Sequence, residues 1–163
     1  MRRITLLTLS LLCFAPPAFA QFACTANVPQ NVIQADLGVQ VELATGKYKA
    51  REAAYQASLE RRIKELTDTG AWTAAHVAAF YMEVPKNAEV QAQEKQVQHD
   101  VQQFTTALAL ASAKDAADPQ LVCERATEAM SLLSTLVASS DKQWELVEAA
   151  FQRVAKALRE RKG

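Results

Sequence analysis

Apolar residues recur along this chain at steps of three and four, the spacing that places side chains on one face of a helix. From Asp118 to Ser139 they fall at Val122, Ala126, Met130, Leu133 and Val137. Asp118 is placed to accept from the free backbone N–H groups of the first turn, and Pro119 occupies the position where a missing N–H costs nothing. A last helix is expected after Ser139, with Ser140 and Gln143 in capping-box positions. Its apolar residues Trp144, Val147, Phe151, Val154 and Leu158 form the most regular seam in the chain.

Upstream, Tyr48, Tyr55, Leu59, Ile63 and Leu66 mark one face of a helix over Lys47 to Asp68, which Gly70 is placed to end. Asn87 caps a further helix over Ala88 to Lys114, with a buried seam at Val90, Val97, Val101, Phe104, Leu108 and Ala111. Between them a short helix from Thr73 to Glu83 stops before Pro85, because the residue preceding a proline disfavours helical geometry.

The segment Gln21–Thr45 is less regular. Val32, Ile33, Leu37 and Val41 suit a short amphipathic helix, Gly38 weakens it, and Val39 to Leu43 alternates as a strand would. With no second strand to pair with, the segment reads as short helix or irregular coil, an arm on the body. The whole is an all-α chain: an antiparallel bundle of about four long helices, a short aromatic helix and a disulfide-tethered N-terminal arm.

The first twenty residues read as a targeting segment. Arg2 and Arg3 form a basic start, Ile4 to Phe14 an apolar run, and Ala18-Phe19-Ala20 a small-x-small cleavage pattern. Export through the general secretory route to a bacterial-type periplasm or beyond is expected, with residues 21–163 as one helical domain. Removing Arg2 and Arg3 from the 18 basic residues leaves 16 against 18 acidic, a net charge of −2. That balance, without a basic stripe, argues against nucleic acid, and no later apolar run is long enough for stable membrane insertion.

Cys13 leaves with the targeting segment, so Cys24 and Cys123 are expected to pair in an oxidising compartment. Closing a loop of 98 intervening residues stabilises by about 4 to 5 kcal/mol in the chain-entropy account, an upper figure.

Candidate chemistry is sparse. His76 and His99 are the only histidines; HExxH, CxxCH and the ExxH step of carboxylate bundles are absent, so neither a metal nor another cofactor is expected. No nucleophile elbow or glycine-rich phosphate cradle is present, and catalysis is not expected. The densest aromatic stretch supplies a candidate partner surface at Trp72, Phe80, Tyr81 and Met82. Its competing reading is core, because Val77, Phe80, Tyr81 and Val84 share one helical face. The function expected is binding of another protein, as an inhibitor, immunity-type protein, adaptor or chaperone of the envelope; a homodimer fits the same reading. The alternatives are a carrier or sensor of a small apolar ligand or metal within the bundle, and an enzyme with an unfamiliar site.

Overall fold

The computed structural model describes residues 24, 27–113 and 118–160. The targeting segment and residues 114–117 and 161–163 lie outside them. Four α-helices follow one another: α1 (Gln30–Asp68), α2 (Ala74–Glu83), α3 (Ala88–Ala111) and α4 (Pro119–Glu160), with a 3-10 turn at Val84–Lys86 between α2 and α3. The described residues contain no strand. The all-α expectation holds. Three of the helices are long, however, not four, because two expected boundaries are absent.

The first missing boundary is at Ser140. Helix α4 runs through it as 42 unbroken residues, about 63 Å of helix. The reason is phase: Leu133, Val137, Ser140, Trp144, Val147 and Phe151 continue the same three-and-four rhythm across the expected cap, with neither glycine nor proline to stop it. Ser140 therefore occupies a core position, 2% exposed.

The second is at the expected arm. Residues 30–45 are the first turns of α1, a single 39-residue helix, because Ile33, Leu37 and Ala44 are buried in phase with Tyr48 and Leu59. Gly38 and Gly46 are accommodated within it, each with nothing within 4 Å of where a Cβ would stand. At the far end Gly70 does stop the helix. It adopts φ +68°, its N–H donates to the Thr67 carbonyl at 3.0 Å, and the Trp72 N–H donates to Leu66 at 2.9 Å, closing off carbonyls that have no intrahelical partner.

The expected caps at the other starts are present. Asn87 Oδ1 accepts from the N–H groups of Glu89 and Val90, and Asp118 Oδ1 from that of Gln120 at 2.9 Å. Thr73 and His76 form a reciprocal box, in which the Thr73 backbone N–H donates to His76 Nδ1.

The contacts fix the directions. Helix α3 runs antiparallel to α4, with Arg125 donating to the Leu110 carbonyl and Asp100 meeting Ser139. Helix α1 runs parallel to α4: Tyr48 meets Ser140, Tyr55 meets Trp144 and Arg62 meets Glu148 in ascending order. The bundle is thus up-down-up, with α2 across the end where α1 and α4 finish. Cys24 and Cys123 join the start of this parallel pair as a disulfide, their Cα atoms 5.7 Å apart.

The core falls into two clusters. One, between the three long helices, contains Ile33, Leu37, Phe104, Val122, Ala126, Met130 and Leu133. The other gathers Leu59, Ile63, Trp72, Phe80, Phe151 and Ala155 beneath α2. Trp72 packs 5.4 Å from Phe151 between ring centroids, and Phe80 meets Phe151 edge-on at 5.7 Å.

Candidate functional site

Two of the four residues expected on the partner surface are elsewhere. Trp72 is 2% and Phe80 1% exposed, so both are core and the candidate surface as first drawn does not exist. The physical reason is that α2 packs against the ends of α1 and α4, so the apolar side turned inward is packed against Phe151. Tyr81 and Met82 do face outward, 52% and 61% exposed, on the other side of the short helix.

A layer of polar side chains separates the two core clusters. Asp100 of α3 is 3% exposed and accepts hydrogen bonds from Ser139 Oγ and, at 2.8 Å, from Gln96 Nε2. Gln93 Nε2 donates to the Ser139 carbonyl at 2.8 Å, and Tyr48 shares a 2.9 Å hydrogen bond with Ser140. One serine pair thus ties α4 to both neighbours at the same level: Ser139 to α3, Ser140 to α1. Asp100 stands where the seam of α3 continues, whereas Val101, expected in that seam, is 43% exposed. The described residues contain no cluster of three or more His, Cys, Asp or Glu side chains arranged to hold a metal ion.

Above this layer two ion pairs bridge α1 and α4, and they differ. Arg62 grips Glu148 with both Nη atoms, at 2.6 and 2.5 Å, and its guanidinium lies 4.8 Å from the centroid of Phe151. The Arg62 hydrogen bond holds the Glu148 carboxyl below the usual glutamate range, against the effect of its partial burial, and Glu148 in turn raises Arg62. Arg51 Nη2 approaches Asp141 Oδ2 to 2.8 Å without the alignment of a hydrogen bond, and this buried nitrogen has no aligned acceptor. Burial consequently outweighs the attraction of Arg51, and the Asp141 carboxyl lies above its ordinary range. Bidentate geometry is what separates the two pairs.

The Arg62–Glu148 pair forms one wall of a groove of about 500 Å³ along the α1–α4 seam. Leu59 and Val147 supply its apolar floor, Ser58 and Glu145 part of its rim, and the stacked rings of Tyr55 and Trp144, 5.8 Å between centroids and 18° from parallel, its other wall. No protein family, curated protein or solved structure matches this chain. The reading of this groove therefore rests on its own side chains.

Those side chains are an aromatic pair, an arginine and an apolar floor, open to solvent, with no nucleophile and base in hydrogen-bond contact among them. Such a set suits recognition of an apolar side chain with a polar or charged neighbour. Tyr55 and Trp144 are legible in the sequence only as seam residues, since periodicity assigns a face and not the gap between two faces. The one available signal was the residue type, because Trp, Tyr and Arg are the usual anchors of interfaces.

Proposed function

We propose that the chain is an exported helical protein that works by binding another protein, and that the α1–α4 groove receives an amphipathic helix of that partner. The observation that carries this reading is the groove itself: an apolar floor between two parallel helices, walled by Tyr55, Trp144 and the Arg62–Glu148 pair. A trough between parallel helices fits a third helix along its length, and the partner's apolar stripe would meet Leu59 and Val147. Arg62 and Glu148 already neutralise each other, so an apolar helix end can cover them without stranding a lone charge.

Export is supported by the basic and apolar start of the sequence and by the Cys24–Cys123 pair, which suits an oxidising compartment. No described helix is long and apolar enough to cross a membrane. Tyr81 and Met82 are two exposed side chains rather than a patch, and they serve as the control surface.

The test is affinity capture from an envelope extract with the oxidised protein, identifying what is retained by mass spectrometry. A partner lost with Ser58→Arg, which fills the groove, and kept with Tyr81→Ala is the expected result. Capture indifferent to Ser58→Arg, in a variant whose helical circular dichroism is intact, overturns the assignment of the groove.

A further inference from the structure

Helix α1 carries a second apolar stripe on the side away from the core. Val32, Val39 and Leu43 are 48%, 54% and 55% exposed, and the same stripe continues through Gly46, Ala50 and Ala57, all exposed. At 100° per residue these positions centre about 130° around the helix from Ile33, Leu37 and Ala44, which are buried. Asp36, between Val32 and Val39, is the one charged residue within the stripe's arc; from Val32 to Ala57, about 39 Å of helix at about 1.5 Å per residue, the stripe is otherwise uncharged. A helix with a second apolar face outside its core face is one that is covered on both.

We infer that the covering element is α1 of a second copy of this chain, running antiparallel about a two-fold axis near Ala44 and Thr45. The stripe is large in its first half and small in its second. Antiparallel pairing about that axis sets Val32 opposite Ala57, Val39 opposite Ala50 and Leu43 opposite Gly46, and the symmetry repeats each layer. Each of these layers joins a larger side chain to a small one, and the same symmetry sets Asp36 opposite Ala53, which lets the two helices approach closely and interdigitate. At Gly46 the space is open, with nothing within 4 Å of a Cβ. Parallel pairing in register would instead set large against large and leave the small half gapped.

Charge agrees with the same direction. The first half of α1 carries Asp36 within the stripe's arc and Glu42 beside it and no basic residue, whereas Lys47 and Lys49 stand just beyond the centre. Antiparallel pairing brings Glu42 of each chain beside Lys49 of the other, on the same flank. Parallel pairing brings like charges together. This surface lies on the far side of α1 from the groove, so both can be occupied at once and neither reading depends on the other.

Sedimentation of the oxidised wild-type protein at micromolar concentration is expected to give twice the chain mass. Leu43→Glu should raise the dissociation constant by about tenfold or more, because it buries a carboxylate against Gly46, while leaving the helical circular dichroism unchanged. Val32→Cys and Ala57→Cys preparations should form a covalent dimer when mixed and none when kept apart. A monomeric wild type, a dimer indifferent to Leu43→Glu, or a covalent dimer from Val32→Cys alone each overturns the inference.

Discussion

Ser139 donates its hydroxyl hydrogen to the buried carboxylate of Asp100, so the most enclosed charge among the described residues is held by α4 rather than by its own helix alone. Gln96 supplies the second donor at 2.8 Å. Replacing Asp100 with Ala removes the acceptor of both donors at the level where the two core clusters meet. A loss of about 1 to 3 kcal/mol is expected in denaturant unfolding. The double variant Asp100→Leu/Ser139→Ala, which removes donor and acceptor together, should recover most of it, since a polar layer specifies alignment more than it stabilises. A double variant no better than Asp100→Ala contradicts this account.

The continuity of α4 can be tested at Asp141. Had Ser140 capped a new helix, Asp141 would be its first residue, where proline is welcome. In the interior of a helix, proline costs about 3 kcal/mol or more. Asp141→Pro is therefore expected to lower the thermal midpoint sharply, with loss of helical circular dichroism, and a neutral outcome would restore the boundary.

The Arg62–Glu148 pair predicts the sign of a pH effect. The folded-state pKa of Glu148 is depressed, so its contribution is fully present above the ordinary glutamate pKa of about 4.3 and is lost as pH falls through the lower folded value. With both side chains partly exposed, 33% and 41%, screening keeps the contribution at about 1 kcal/mol or less. Thermal midpoints of the wild type and Glu148→Gln should differ at neutral pH and converge in acid below that range. Asp141 has the opposite sign. Its raised folded pKa means that the ionised form costs stability above that value, a cost relieved as pH falls.

Two glycines should respond oppositely to alanine. Gly38 is helical with open space at its Cβ position, so Gly38→Ala should stabilise by about 0.5 to 1 kcal/mol. Gly70 sits at φ +68°, where a side chain is strained, and Gly70→Ala should cost about 1 to 2 kcal/mol. Chemical denaturation of the two variants reads both.

The disulfide sets a last expectation. Cys123→Ser should free the chain ahead of α1 and lower stability by up to about 4 kcal/mol. Mass spectrometry of the exported protein after thiol alkylation should find Cys24 and Cys123 blocked. Two alkylated thiols would remove the bridge from this description.

The sequence by itself determined that the chain is helical, where α2 and α3 begin, that Asp118 caps α4, and most of the core face of each helix, though not Val101 or Tyr81, because periodicity and caps are local and act within one or two turns. It also identified Cys24 and Cys123 as the pair to join. Only the tertiary structure decided whether adjoining amphipathic segments were separate or fused. Ser140 has the side chain of a cap, yet it lies in phase with the seams on either side and is covered by Tyr48, so the helix continues. Likewise the sequence allowed Trp72 and Phe80 to face either a partner or the core, and the packing of Phe151 against them decided for the core. Asp100 took a seam position from Val101 because Ser139 and Gln96 were there to receive it. Burial, groove and second stripe all depend on which helix lies beside which, and that is a relation between distant residues that no local pattern contains.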